Sequence, residues 1–389
     1  GKGYFLNTTA GTITVNLPVG VAGSIVSVAD YAATWQTNAV TVAANGTEKI
    51  GGVDADVTLG TEGQSVTLVY VDSTQGWVNT MDSTSNVRGS AHMIATGGTI
   101  SCCGNDKIHK FTGPGTFTVT AAALCAANNL VSYMVVAGGG GGGYSTGAHG
   151  GGAGGAGGFR EVVSPSAPYT ASPLQGYATP GNRITVTATG YPIAVGGGGV
   201  AGTCGATRGS PGVNSTFSTI IGAGGGGGGS VTGGPIYPGI AGGSGGGGGS
   251  EGSGSGGAGN TPPVTPAQGF AGGTGTNSPP DLRSGGGGGA TAIGDNGVPG
   301  CRSGNGGAGA TTCISASPTA YSGGGGGGRA GPSGQQAGGT GGAGGGAPGA
   351  TPETNATVNT GGGGGGGGYP SGAGGVGGSG VVIIRYKFQ

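Results

Sequence analysis

Residues 361–368 of the chain read GGGGGGGG and are followed directly by Tyr369. Similar uninterrupted runs recur at residues 138–143, 224–229, 245–249, 285–289 and 323–328, with a shorter run at 196–199. Most of the 110 glycines lie between residues 138 and 380. Glycine has no side chain to bury or to react, so any functional group must lie in the segments between the runs.

Three conformations compete for these runs. A flexible linker is the ordinary state of glycine-rich sequence, because ordering the backbone costs about 1–2 kcal/mol per residue. Linkers keep one composition over tens of residues, however, whereas these runs are short and separated by segments rich in Pro, Thr, Asn and Tyr. Collagen requires glycine at every third position only, and consecutive glycines break that pattern. The remaining conformation is polyglycine II, an extended helix like polyproline II with three residues per turn.

A polyglycine II helix is not stable alone. Its N–H and C=O groups point outward, and the buried ones need partners on neighbouring segments. Only a residue without a β-carbon lets adjacent backbones approach closely enough to hydrogen-bond on all sides. The fold class predicted is therefore mainly β and non-regular: a small N-terminal β domain followed by a bundle of polyglycine II helices framed by β-strands, with essentially no α-helix. Such a bundle is cooperative, as stacked repeats are.

Residues 1–88 are predicted to form the small β domain. Apolar and polar residues alternate along residues 12–17 and 65–71, as they do in half-buried strands. Further short strands are predicted at residues 24–28, 39–42 and 57–59, and a hairpin at residues 70–77. Trp35 and Trp77 are interpreted as packing residues rather than as a carbohydrate platform. A domain of this size gains stability from oligomerisation.

Residues 89–137 are predicted to be a β connector that leads into the glycine domain at residues 138–380. Strands are expected at residues 116–120 and 130–136, and the second runs straight into Gly138. Residues 381–389 are predicted to be a closing strand, because the apolar sequence Val381-Val382-Ile383-Ile384 follows Gly380. We expect the strands at 130–136 and 381–389 to lie side by side, which would close the two ends of the glycine domain on each other.

The charge balance argues against nucleic-acid and membrane partners. The chain has 13 basic and 13 acidic residues, so it offers no basic field to attract nucleic acid. The strongly apolar run at 381–384 is far shorter than the ~20 residues that span a bilayer. The chain begins with Gly1 and shows no signal-peptide pattern, which is compatible with its being part of a longer protein.

The cysteines suggest disulfides without deciding their pairing. An even number of cysteines in a chain poor in ordinary core fits disulfide staples. We favour a bond from Cys125 to Cys102 or Cys103, because short predicted strands bring them near, and six reduced thiols are the alternative. The spacing of the cysteines and histidines indicates no zinc site. The six are Cys102, Cys103, Cys125, Cys204, Cys301 and Cys313.

Several motifs resemble a known family. The sequence Tyr133-Met134-Val135-Val136-Ala137 before the first run, Gly157-Gly158-Phe159-Arg160-Glu161 after it, and Gly380-Val381-Val382-Ile383-Ile384-Arg385-Tyr386 at the end look like the glycine-rich domain of phage tail proteins. The chain is also similar in kind to the tip adhesins of T-even-type long tail fibres. This resemblance covers residues 130–389 and implies a polyglycine II sandwich whose loops bind a bacterial surface receptor. It further implies a virion tail-fibre location, other fibre chains as partners and a homotrimer, with a monomeric tip as the alternative.

The direction of the runs nominates loops for receptor contact. If strands flank both ends of the domain, the first run leads away from them, so residues 144–149 and 369–371 share the distal end. If successive runs alternate in direction, residues 203–223, 250–284 and 329–337 also lie at the distal end. This count requires that residues 304–309 do not form a full polyglycine II helix. Aromatic and arginine residues concentrate binding energy in interfaces, although the same residues also cap helix ends or pack between sheets. The candidates are Tyr144, His149, Arg208, Phe270, Arg329 and Tyr369.

Catalysis has little support in the sequence. His92, His109 and His149 are scattered, and no nucleophile or metal motif accompanies them. Asp295-Asn296-Gly297 is only a fragment of a calcium loop. We therefore expect neither enzymatic activity nor a cofactor nor a metal. The alternatives to a receptor-binding protein are a structural fibre or extracellular filament subunit and, with less support, an antifreeze protein, a depolymerase or a calcium-binding protein.

Overall fold

The computed structural model describes residues 1–83, 92–123, 125–204, 207–230, 238–278, 281–331, 337–350, 354–370 and 372–389. The chain divides into two compact units, Gly1–Gly89 and Ser90–Gln389. The segment 89–137, predicted as a connector, thus falls almost entirely within the second unit. The described residues contain short 3-10 turns but no α-helix, and the predicted fold class is confirmed. The turns are Ala126–Asn129, Pro180–Asn182 and Glu251–Ser253.

The first unit is built from two small sheets. Its strands are β1 (Lys2–Leu6), β2 (Ile13–Asn16), β3 (Ile25–Asp30), β4 (Val40–Ala43), β5 (Val57–Leu59), β6 (Ser65–Tyr70) and β7 (Trp77–Ser83). They are ordered β1-β3-β6-β7 and β2-β4-β5. β6 and β7 form the predicted hairpin, in which Tyr70 pairs with Trp77. Trp35 and Trp77 are fully buried in the core of this unit, as the packing interpretation requires.

The second unit begins with a β-sandwich. One sheet has the order β13-β12-β21-β10-β9 and the other β16-β15-β14-β11-β8. A core that includes Phe117, Tyr133, Phe217 and Tyr386 joins the two sheets. The strands are β8 (Ile94–Thr96), β9 (Thr99–Cys103), β10 (Asp106–Phe111), β11 (Gly115–Ala121), β12 (Ser132–Val136), β13 (Phe159–Val162), β14 (Gly190–Ala194), β15 (Ser215–Phe217), β16 (Ile220–Gly222) and β21 (Val381–Lys387). Two hairpins complete the set: β17 (Thr276–Ser278) with β18 (Asp281–Arg283), and β19 (Ala310–Thr312) with β20 (Thr319–Tyr321).

The predicted pairing of the two flanking strands is confirmed. β12 and β21 are antiparallel neighbours, with Val135 opposite Val382 and Met134 opposite Ile383. Their sheet is buried on both faces, because a second cluster containing Met134, Ile314 and Ile383 covers the face opposite the sandwich core. Burial on both faces explains why these two strands are continuously apolar rather than alternating.

The glycine run 138–143 shows a hydrogen-bond period of three. Each N–H donates to a neighbouring segment, and residues three apart donate to the same one. Gly138 and Gly141 bond residues 213 and 210, Gly139 and Gly142 bond residues 378 and 375, and Gly140 and Gly143 bond residues 155 and 152. All three acceptor segments run antiparallel to the glycines. A repeat of three residues per turn is that of polyglycine II.

The carbonyl groups of the same run face three further neighbours. The carbonyls of Gly138 and Gly141 accept from residues 225 and 228, those of Gly139 and Gly142 from 199 and 202, and those of Gly140 and Gly143 from 364 and 367. These three segments run parallel to the run. Six neighbours therefore surround it, and every backbone group is satisfied without water.

The inserts between the runs contain further extended segments, which the sequence prediction treated as loops. Residues 209–213, 239–243, 254–258, 292–297 and 337–343 join the array through backbone hydrogen bonds. Residues 203–223 and 250–284 are consequently not single distal loops. The segment 304–309 is also a member of the array, although the sequence prediction assumed that it was not a full helix. The segment 292–297 is a further, unpredicted member. The two together leave the direction of the later runs unchanged, so Arg329 still lies at the distal end.

Candidate functional site

The array has one end beside the sandwich and one end away from it. We call the second the distal end; there the segment 138–143 passes into Tyr144. Backbone hydrogen bonds connect the loops there. The N–H of Tyr144 donates to the carbonyl of Thr207 at 3.1 Å, and that of Ser145 donates to Gly372 at 3.0 Å. The N–H of Tyr369 donates to Arg329 at 2.9 Å. Loops that are far apart in sequence thus form one surface.

The loop 144–149 is held in one conformation by internal and neighbouring contacts. The hydroxyl of Ser145 donates to the carbonyl of His149 at 2.6 Å. The N–H of Gly331 donates to Ala148 at 2.8 Å. Gly147 has a φ of +57°, in the region that favours glycine. Binding to a loop that is already ordered costs less conformational entropy.

Five of the six predicted contact residues lie at the distal end. Tyr144, His149, Arg329 and Tyr369 are partly exposed there, and Arg208 is exposed, with its guanidinium 3.4 Å from the carbonyl of Pro238.

Phe270 lies at the opposite end, and its predicted distal position is corrected. Its N–H donates to Gly289, which precedes the buried Ala290 of the cluster beside the sandwich. Two residues earlier, the carbonyl of Gln268 accepts from Phe159 on β13. The prediction placed Phe270 in a distal loop because the segment 254–258 was not recognised as a return pass through the array. Of the other tyrosines between runs, Tyr321 is buried near the sandwich, and Tyr237 lies outside the described residues.

Four ionisable residues lie at neighbouring segment ends of the distal end, and we call them the charged cluster: His149, Glu251, Arg283 and Arg329. Each is the sequence neighbour of the residue at the distal tip of an array segment; these tip residues are Gly150, Ser250, Ser284 and Gly328 respectively. These four tip residues contact one another. Gly150 and Ser250 exchange two hydrogen bonds, of 3.0 and 3.1 Å, and the hydroxyl of Ser284 donates to the carbonyl of Gly328 at 2.6 Å.

The charged cluster has unused hydrogen-bonding capacity. Within the described residues, the Nδ1 of His149, the Oε2 of Glu251 and the Nε of Arg329 are buried and have no hydrogen-bond partner. Arg283 is only 1% exposed, and its Nη1 donates to the carbonyl of Leu282 at 2.7 Å. Glu251 and Arg283 were missed by the sequence argument, which ranked aromatic residues and arginines within loops. Their position at the ends of glycine segments was the signal that could have found them.

The perturbed ionisable groups at the sandwich end have structural explanations. Burial raises the pKa of Tyr386 to about 12 and lowers the pKa of His109, whose Nδ1 lies 2.7 Å from the carbonyl of Gly97. Burial also raises the pKa of Tyr133 and Tyr169. These side chains pack in or against the sandwich rather than in an open cleft, so they indicate stability rather than chemistry.

The cysteines form no disulfide in the structure. Cys102, Cys103, Cys125, Cys204, Cys301 and Cys313 are all free thiols. The predicted bond from Cys125 to Cys102 or Cys103 is therefore not present: Cys102 and Cys103 lie on β9, and Cys125 stands exposed just before a 3-10 turn. Among the described residues no group of His, Cys, Asp and Glu could hold a metal ion, and no helix is long and apolar enough to cross a bilayer.

The comparison with known families agrees with this architecture. A family model described as a glycine-rich domain matches residues 111–387, which include the whole array and strands β11 to β21. The chain belongs to the glycine-rich domain family. No curated protein matches the chain. The matched region of this glycine-rich domain ends at the last residue of β21, so the family includes the strand that closes the array.

Proposed function

We propose that the chain is a phage tail-fibre adhesin that attaches to a bacterial cell-surface receptor, protein or glycan, through the distal end of its glycine-rich domain. In this proposal it works in the virion tail fibre, as a homotrimer associated with other fibre chains, and has no catalytic activity. The observation that carries the proposal is the gathering of Tyr144, His149, Arg208, Arg329 and Tyr369 at one end of an array whose other end is covered by the sandwich.

The physical argument concerns rigidity. The array segments are hydrogen-bonded to neighbouring segments, and the run 138–143 is bonded to six of them, so the loop ends are fixed in space before a receptor arrives. A fixed surface spends little of its interaction energy on ordering. Tyrosine and arginine are the residue types that most often act as energetic centres of interfaces. The array therefore supports a binding surface that is composed of short loops.

Two tyrosines test the proposal. We expect the double variant Tyr144→Ala with Tyr369→Ala to lose at least about tenfold in attachment to bacterial cells, because each removes a large aromatic anchor from the distal end. Fluorescently labelled protein would be mixed with a panel of bacterial strains, and binding would be measured by flow cytometry. The control is Tyr31→Ala, which removes a tyrosine that is 65% exposed in the first unit and should bind as the unchanged protein does.

A structural fibre or filament subunit would behave differently. It would label no strain in the panel and would assemble into filaments, which electron microscopy would reveal. Equal attachment by the double variant and the control, with both folded, would contradict the assignment of the distal end.

A further inference from the structure

We infer that the first unit binds a primary ammonium group on a short alkyl chain, in a cleft between its two sheets. We call it the β5–β7 cleft, because these two edge strands border it. Its volume is about 330 Å³, at the lower end of the range of about 300–1,000 Å³ that is typical of ligand sites. The inference goes beyond the proposed function, which concerns the distal end of the array.

The cleft exists because strand β7 presents polar side chains toward the other sheet. On β6, Val66 and Leu68 pack in the core between the sheets, and each is 5% exposed. On β7, Asp82 pairs with Val66 and Asn79 with Leu68, so both polar residues lie on the same face of the sheet as their apolar partners. Both are exposed. The core therefore ends at β6, and the space beside β7 forms the cleft.

The walls of the cleft are apolar. Val42 on β4 and Leu59 on β5 are buried, and Val57 on β5 is partly buried. All three line the cleft together with Val66 and Leu68. Methylene groups gain free energy when they leave water for such a surface. The walls therefore suit an alkyl chain.

Gln64 supplies an unused acceptor in this cleft. Its Nε2 donates to the Oδ1 of Asp82 at 3.2 Å, and this bond fixes the orientation of the amide, because an amide oxygen would not face a carboxylate. Gln64 lines the cleft and is 7% exposed, and within the described residues its Oε1 is buried without a hydrogen-bond partner. A buried acceptor without a partner is unfavourable. A ligand that brings a donor into the cleft would complete this pair of side chains.

The charges favour an ammonium over other donors. The carboxylate of Asp82 lies at the cleft, and none of the described residues that line it is basic. Residues 1–89 contain seven acidic and three basic residues, so the unit attracts cations. A primary ammonium brings three donors and no acceptor, and its hydrogen bonds to a carboxylate are stronger than those of a neutral alcohol. The ammonium would contact Gln64 and Asp82, and the alkyl chain would lie along the apolar walls.

Saturation-transfer difference NMR on the whole chain tests the inference. The probes are pentylammonium, 1-pentanol, pentanoate, methylammonium and a capped lysine, Nα-acetyl-lysine methylamide. We expect pentylammonium to bind at least about tenfold more tightly than pentanol, pentanoate and methylammonium, and to bind less tightly as salt is added. The capped lysine distinguishes two sources of the same group. Comparable binding indicates the lysine side chain of a partner protein, and binding of pentylammonium alone indicates a free amine.

Asp82→Asn is expected to weaken the binding of pentylammonium at least about tenfold, because it removes the charge but keeps an acceptor for Gln64. The matched control is Glu62→Gln, which removes an exposed carboxylate of the same unit that is not among the residues lining the cleft. It should change the affinity less than about twofold. If Asp82→Asn does not fold, Val57→Trp decides, since a large side chain on the wall should fill the cleft and abolish binding. Circular dichroism checks that each variant is folded.

Several outcomes would overturn the inference. They are absence of pentylammonium binding, equal or tighter binding of pentanol, pentanoate or methylammonium, unchanged binding by folded Asp82→Asn or Val57→Trp protein, and an equal loss in Glu62→Gln. A cleft covered by a second copy of the chain would also overturn it. In that case sedimentation would show that Val57→Trp reduces association, while no amine binds. None of these results bears on the adhesin proposal, which is tested by bacterial attachment through Tyr144 and Tyr369.

Discussion

A β-carbon at Gly140 would collide with the carbonyl group of Gly226, because the two segments lie in backbone contact. The same problem recurs at Gly154, whose β-carbon would meet the carbonyl of Gly140. At Gly197, by contrast, a β-carbon would meet nothing within 4 Å. Glycine is thus required where a residue faces a neighbouring segment and is dispensable where it faces outward.

Two alanine substitutions test this distinction. We expect Gly140→Ala to lower the free energy of unfolding by at least about 3 kcal/mol, because the backbone around it has no room to shift. Gly197→Ala should leave it unchanged or raise it by about 0.4–1 kcal/mol, since alanine restricts the unfolded chain at no steric cost. Thermal and denaturant unfolding followed by circular dichroism measures both. Equal destabilisation by the two would contradict the close-packed array.

At the scale of elements, the outer segments show a three-residue pattern of exposure. Along residues 197–203 every third position is exposed: Gly197, Val200 and Thr203. Residues 138–143 and 361–368 are buried throughout. Uninterrupted glycine therefore marks these surrounded segments, and glycine repeated at intervals of three marks a segment with an outward row. The second pattern is what the sequence argument overlooked in the inserts.

A buried ion pair connects the strands that close the array. The Nη2 and Nε of Arg385 on β21 lie 2.7 and 2.9 Å from the Oδ2 of Asp106 on β10. The side chains of Arg385 and Asp106 are 7% and 11% exposed. Removing one partner would leave the other charge buried without compensation.

Asp106→Asn is expected to lower the free energy of unfolding by about 3–5 kcal/mol, because Arg385 would lose its counter-charge in the sandwich. Urea unfolding would be followed by circular dichroism rather than by tryptophan fluorescence, because Trp35 and Trp77 both lie in the first unit. Asp295→Asn serves as the control, since its pair with Arg302 is about half exposed and should contribute less than about 1 kcal/mol. A comparable loss in both variants would contradict the structural role of the buried pair.

At the scale of the whole molecule, β21 decides whether the second unit folds. It is the central strand of its sheet, between β12 and β10. Val381, Val382, Ile383, Ile384 and Tyr386 are fully buried. Each such side chain contributes about 1.5–3 kcal/mol, so their sum is comparable to the stability of a typical domain.

A chain that ends at residue 380 should therefore fail to form the sandwich and the array, while the first unit keeps its own core and unfolds cooperatively. Calorimetry would show one transition instead of two. A chain that lacks residues 1–89 retains β12 and β21 and is the matched control, which should show the transition of the second unit. A folded array in the chain that ends at residue 380 would contradict this account.

The sequence by itself determined the polyglycine conformation, the positions of most strands and the pairing of β12 with β21. These follow from simple rules. Consecutive glycines exclude the collagen repeat, and alternating or continuous apolar residues indicate strands. Strands that flank both ends of one domain are expected to pair with each other. Only the tertiary structure decided that the inserts hold further array segments, that Phe270 lies near the sandwich, and that Glu251 and Arg283 join His149 and Arg329. A short segment such as 254–258 has no conformation of its own, because its backbone hydrogen bonds go to other segments, except for the bond from Gly254 back to Gly249.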